Sequence, residues 1–194
     1  MDFAAQIRQE IEESIACKRE VLSRLPAGIE TAARWVAEAI GAGGKLLLFG
    51  NGGSAADAQH LAAELVGRYL AERQGLAALA LTTDTSCLTG VGNDYGFERV
   101  FARQLEALGR PGDVAVALST SGDSSNVLAG IRQAKAQQIR VIGLLGRDGG
   151  KAAGEVDLAL VVPGPTARVQ EAHILIGHII CRIAEELLLS RSEQ

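Results

Sequence analysis

With only three histidines in 194 residues, the surroundings of each one are informative. His60 stands four residues before Glu64, the spacing that puts two side chains on one face of a helix. Immediately upstream is Gly50-Asn51-Gly52-Gly53-Ser54. A helix that begins at such a loop presents free backbone N–H groups to an anion. Far along the chain, Gln170-Glu171-Ala172-His173 is followed by His178. An anion cradle beside an acid/base pair is equipment for chemistry on a phosphorylated small molecule.

A second cradle is Ser119-Thr120-Ser121-Gly122-Asp123-Ser124-Ser125-Asn126. Its hydroxyls and amides match the three acceptor oxygens of a phosphate monoester. It is neither a GxxxxGK[ST] loop nor a GxGxxG fingerprint. An ordinary helix cap needs one hydroxyl, and this loop has several. Asp123 would repel a phosphate, so its side chain is expected to point outward. The Asn51–Ser54 loop by itself is equally well a tight turn after a buried strand.

His60 and Glu64 fit a metal pair, an acid/base pair or a surface hydrogen bond, and zinc is one of several metals such donors suit. Gln170 and His178 are eight residues apart, about 12 Å of rise and 80° of rotation on a regular helix. They converge on one point only with difficulty, so either Gln170 precedes the regular helix or the two act through different geometry or different subunits. A histidine in so apolar a helix is commonly a core residue, and the argument for His178 acting chemically is its pKa near neutrality. His173 reads as structural or supporting. Asn93-Asp94-Tyr95-Gly96 is a polar loop before a helix, able to reach a sugar hydroxyl or simply to turn.

These residues need a frame, and the hydrophobic pattern supplies one. Helical stripes cover about 3–24 and 29–40. Apolar strands follow at 45–49, 77–81, 113–118, 140–145 and 158–162. Between and after them lie helices near 54–70, 86–91, 96–108, 125–137 and 167–190. Continuous apolar strands such as Leu46-Leu47-Leu48-Phe49 are those of a parallel sheet buried on both faces. The expected fold is α/β: a five-stranded parallel sheet flanked by helices in three layers, with an additional N-terminal helix. It is one domain, with residues 1–42 packing in an oligomer and 43–194 forming the α/β core. Ligands in such folds sit at the C-terminal strand ends, near the switch in strand order. The first helix exceeds what the sheet needs, and the last is apolar around much of its circumference, so a symmetric oligomer is expected.

Composition narrows the function classes. A net charge of −4 argues against general nucleic-acid or anionic-membrane binding. Three dispersed cysteines with no CxxC indicate neither a disulfide framework nor a thiolate zinc site. No signal-peptide pattern opens the sequence and no apolar run approaches the ~20 residues of a membrane span. A cytoplasmic protein is expected.

The segments GNGGSAADAQHLAAEL, LTTDTSCLTGVGNDYGF, GDVAVALSTSGDSSNV, GRDGGK and TARVQEAHILIGHIICRI together resemble the sugar isomerase (SIS) domain family, and within it the phosphoheptose isomerases. The resemblance covers nearly the whole chain. It implies a homotetramer with active sites at subunit interfaces. It implies substrate contacts from Asn51, Gly52, Gly53, Ser54, Glu64, Asn93, Asp94, Ser119, Thr120, Ser121, Ser124 and Gln170. It further implies one zinc per subunit on His60, Glu64, Gln170 and His178, with Glu64 and His178 as the acid/base pair. The implied reaction is aldose–ketose isomerisation of sedoheptulose 7-phosphate to D-glycero-D-manno-heptose 7-phosphate, for heptose precursor synthesis. Two residues depart from the pattern: Ala167, where some relatives carry Asp near substrate, and Asp123, where Asn is common. The competing expectation is a non-catalytic SIS protein that binds a partner such as the DnaA replication initiator. Such relatives lack the full acid/base set, and this chain has both members.

Overall fold

The computed structural model describes residues 1–192. Among these residues, five strands form one parallel sheet in the order β2-β1-β3-β4-β5. They are β1 (Leu46–Gly50), β2 (Ala78–Ala80), β3 (Val114–Ser119), β4 (Arg140–Gly146) and β5 (Leu158–Val162). The three central strands are buried almost end to end, which is why they read as continuous apolar runs. Register pairs Gly50 with Leu118 and Ser119 with Leu145. The C-terminal ends of β1, β3 and β4 therefore lie side by side, and the strand order reverses across β1 and β3.

Alternate side chains of the central strands enter two cores. Leu46, Leu48, Val114, Val116, Leu118, Ile142 and Leu144 pack with α2 (Pro26–Gly41), α3 (Gly53–Val66) and α7 (Thr166–Ser192). Leu47, Phe49, Ala115, Ala117, Val141 and Leu145 pack with α5 (Val100–Leu108) and α6 (Ser125–Ala136). Phe49 meets Phe101 with ring centroids 5.4 Å apart. Burying one such side chain stabilises by roughly 1.5–3 kcal/mol. The three-layer α/β architecture is as expected.

Several helix boundaries differ from the expected ones. Helix α2 begins at Pro26, because proline suits the first turn of a helix. Helix α4 (Thr85–Tyr95) extends through Asn93 and Asp94, so these two residues lie on its last turn and not in a loop. Helix α7 starts at Thr166, which puts Gln170 inside the regular helix and removes the option that it precedes it.

The two helices outside the α/β alternation find different surroundings. Helix α7 buries one face within its own chain, against α2, α3 and the sheet, through Val169, Ala172, Ile176, Ile180 and Ala184, and leaves Leu175, Ile179 and Ile183 part-exposed. Helix α1 (Phe3–Arg24) leaves Phe3, Ile7, Ile11, Ile15 and Leu22 exposed. No helix among the described residues is long and apolar enough to cross a membrane.

Candidate active site

Two strand-to-helix junctions meet at the switch in strand order. The carboxamides of Asn51, after β1, and Asn126, in α6, exchange two hydrogen bonds of 2.8 Å. Beside them is a cavity of about 70 Å³ lined by Asn51, Ser54, Leu118, Ser119, Thr120, Ser121 and Ser124. A second hollow of about 140 Å³ runs over Gly50, Asn51, Gly52 and Ala55 towards Thr82, Leu88, Phe97 and Phe101. Asn51 borders both.

The serine loop is held by its own backbone. Ser119 Oγ accepts the Gly122 N–H at 3.0 Å, and Ser121 Oγ accepts that of Asp123 at 3.2 Å. Ser124 occupies the N-cap of α6 yet makes no capping bond. Asp2 and Asp84, by contrast, cap α1 and α4 with their carboxylates. The first N–H groups of α6 are thus left by the local side chains for an incoming acceptor. Asp123 is exposed and turns to the neighbouring loop, where it accepts the Lys151 N–H at 3.2 Å. That is the outward orientation a phosphate requires.

Helices α3 and α7 run side by side in the same direction, and their contacts advance together. Gln170 meets the start of α3, where its amide lies against Gly53 at the place a Cβ would occupy. Its Nε2 donates to Asp57 Oδ1 at 3.3 Å. Two turns on, Gly177 lies so close to Leu61 that any side chain there would overlap it. The next residue, His178, brings its Nε2 to 2.9 Å from His60 Nε2. The His60 nitrogen is also 3.1 Å from Glu64 Oε1. The donor atoms of His60, Glu64 and His178 all lie within 4.8 Å of one another and could hold a metal ion. Two ligands on one tetrahedral zinc stand about 3.3 Å apart at the usual bond lengths, so the spacing fits.

The expected residues therefore divide into groups. Asn51, Ser54, Ser119, Thr120, Ser121 and Ser124 share one cavity, with Gly52 beside it. His60, Glu64 and His178 form a second cluster. Gln170 sits with Gly53 and Asp57 at the start of α3. Asn93 and Asp94 are exposed on α4, where Asn93 Nδ2 donates to Asp94 Oδ1 at 2.8 Å, and they line neither hollow.

Sequence reasoning missed several neighbours. Asp57 is 7% exposed, and its Oδ2 has no hydrogen-bond partner among the described residues. Burial raises its pKa, against the opposing pull of the Gln170 amide, His60 and His178. Its position three residues before His60 was the available signal. Gly177 carried another: a lone glycine inside an apolar helix often marks close approach of a neighbour. Tyr69 lies against His178 with ring centroids 5.9 Å apart, and nothing in its sequence context announced that contact. The Cys181 thiol behind this cluster is pushed up to about 12 by burial, which keeps it from acting as a thiolate.

Known proteins share both the sequence and the fold. The SIS domain family matches residues 11–146. The phosphoheptose isomerase of Geotalea daltonii is 56% identical over 181 residues, spanning 93% of this chain and 91% of the relative. The chain belongs to the phosphoheptose isomerase family of SIS-domain proteins. Solved structures agree. A phosphoheptose isomerase from Neisseria gonorrhoeae superposes with a TM-score of 0.90 at 47% identity, covering 95% of this chain and 99% of that one. One from Francisella tularensis gives 0.93 at 38% identity, covering 96% and 100%. As a member of the phosphoheptose isomerase family the chain is an isomerase, with its serine loop and histidine cluster on the shared α/β frame.

Proposed function

We propose that this protein converts sedoheptulose 7-phosphate to D-glycero-D-manno-heptose 7-phosphate, supplying a heptose precursor. By family it is a sugar-phosphate isomerase. The observation that carries the finer reading is the convergence of Glu64 and His178 with His60, which joins positions 118 residues apart. The names of the relatives supply the substrate class.

In this reaction a proton moves between C1 and C2, and another between their oxygens. Glu64 takes the proton from C1 of the ketose, leaving an enediol, and a proton returns at C2. His178 exchanges protons with the two oxygens. Positioned acid/base groups of this kind contribute about 10²–10⁴-fold. Ser119, Thr120, Ser121 and Ser124, with the first N–H groups of α6, hold the phosphate. Asn51, Gly52, Gly53, Ser54 and Gln170 contact the sugar; Asn93 and Asp94, further contacts implied by the resemblance, line neither hollow of this chain and would have to reach the sugar from outside them. Ser54 starts α3, so helical rise puts His60 and Glu64 about 9 and 15 Å further along. That spacing suits an extended sugar phosphate better than a triose.

The donor set of His60, Glu64 and His178 fits zinc; Gln170, the fourth ligand implied by resemblance, meets Gly53 and Asp57 at the start of α3 in this chain and does not join the cluster. Lewis-acid polarisation of the sugar carbonyl is what such an ion supplies when bound. A carboxylate shared with a cation is a weaker base, so Glu64 does best as a base when the ion is loosely held. The exposed apolar stripe of α1 supports packing against further copies, in line with a homotetramer that shares its sites. The non-catalytic alternative, a binder of the DnaA initiator, is not favoured, because Glu64 and His178 are both present and brought together.

The test is an NMR time course with sedoheptulose 7-phosphate, using wild type and Glu64→Gln. Aldose heptose 7-phosphate should accumulate with wild type alone. Absence of conversion by wild type, with and without added zinc, rejects the substrate assignment. Near-normal turnover by Glu64→Gln rejects its role as base.

A further inference from the structure

Glu185 lies one heptad beyond His178 on α7, and its side chain is 3% exposed. A buried carboxylate is costly unless its oxygens are satisfied. Here both are. Oε1 accepts the Tyr69 N–H at 3.2 Å and Arg73 Nε at 2.8 Å. Oε2 accepts the N–H groups of Leu70 and Ala71 at 2.9 and 3.0 Å.

Arg73 is as heavily committed. Its side chain is 5% exposed and donates to the carbonyls of Leu65, Gly67 and Gln74. Its Nη2 donates to the Glu64 carbonyl at 3.0 Å. One ion pair thus ties the last turn of α3, which bears Glu64, to α7, which bears His178. It also fixes the segment after α3 from which Tyr69 reaches the His178 ring. A surface loop of this length needs no buried ion pair to close. A site that depends on the separation of two side chains on different helices does.

We propose that the Arg73–Glu185 pair is a positioning device for proton transfer: it sets the register of Glu64 against His178 and seats the Tyr69 ring on the His178 imidazole. Neither Arg73 nor Glu185 touches the sugar. They act through Glu64, Tyr69 and His178. This inference rests on the assignment of Glu64 and His178 as the proton-transfer pair.

The experiment compares wild type, Glu185→Gln and Tyr69→Leu by three readouts: thermal melting, kcat and KM on sedoheptulose 7-phosphate, and the imidazole NMR resonances of His178, assigned by their loss in His178→Gln. Glu185→Gln keeps the shape but halves the acceptor capacity and removes the charge. Its kcat should fall about tenfold to a hundredfold, the scale of an ångström misplacement, while KM stays within about twofold. Its His178 resonances should move. Tyr69→Leu leaves the ion pair intact and should move the same resonances with a smaller loss of kcat. Folded variants with wild-type kcat and unmoved His178 resonances overturn the proposal and leave the pair a purely structural staple. If Glu185→Gln does not fold, Arg73→Lys, which keeps the charge but loses the guanidinium bond to the Glu64 carbonyl, decides through the same resonances and kcat. If wild type does not isomerise the sugar, the acid/base assignment fails, and the resonances alone still report whether the pair positions His178.

Discussion

The serine loop and the His60–Glu64–His178 cluster are built by different means. The loop is contiguous: Ser119 and Ser121 accept the N–H groups of Gly122 and Asp123 and hold their own turn, and β3 delivers it next to β1. The cluster joins two helices 118 residues apart and depends on how closely α7 lies on α3. A local site tolerates small shifts of the surrounding fold, because its donors travel together. A site between helices passes every change in their packing to its distances. Binding and chemistry should therefore respond differently to substitution, and experiments can attack that difference.

The largest effect is expected from Glu64→Gln: kcat should drop about 10²–10⁴-fold with KM little changed, by steady-state assay. A matching rise in KM would move Glu64 to the binding side of the comparison.

His173 lies between the two regions. It shares α7 with His178 but is fully buried, with both ring nitrogens unpartnered among the described residues. Burial lowers its pKa from the ordinary 6.5 to about 4. Above pH 6.5 the residue is neutral whether the chain is folded or not and has no effect on stability. Between there and about 4, the unfolded chain takes up a proton that the folded chain refuses. Stability should fall across that window, by about 3 kcal/mol at its acid end. Urea unfolding at a series of pH values measures it, and His173→Gln should flatten that slope.

Gly177→Ala tests the helix-pair side directly. The added methyl meets Leu61 and should cost about 1–3 kcal/mol, the usual penalty for overpacking a core. A lowered melting temperature with reduced kcat and unchanged KM is the expected pattern.

Ser119→Ala tests the loop. It removes the acceptor for the Gly122 N–H, a change of about 1 kcal/mol, and should raise KM several-fold while leaving kcat near wild type. A fall in kcat as large as that of Gly177→Ala would erase the distinction between the two regions.

The legibility of the molecule follows the same division. Apolar runs in β1, β3 and β4 announced the parallel sheet, because strands covered on both faces have no polar side to show. The serine loop was legible for a similar reason: its chemistry and its geometry occupy one stretch of chain. The terminal helices were harder. Both looked apolar enough for an interface; α7 buries one face in its own chain and leaves Leu175, Ile179 and Ile183 part-exposed, while α1 keeps an exposed stripe. Asn93 and Asp94 looked like a loop and are the exposed last turn of α4, which continues past residues of weak helix propensity.

The sequence by itself determined the α/β alternation, the two junction loops and the i,i+4 pairing of His60 with Glu64, because each depends on residues close together in the chain. Tertiary structure decided the rest. The helical spacing of Gln170 and His178 implied that they would hardly converge, and along α7 they do meet different parts of α3. Gly177, Asp57, Tyr69 and the Arg73–Glu185 pair gained their roles only when α7 was laid parallel to α3. Residue types and spacing within one helix fix which face a side chain is on. How far that face stands from another helix is set by the packing of everything between them.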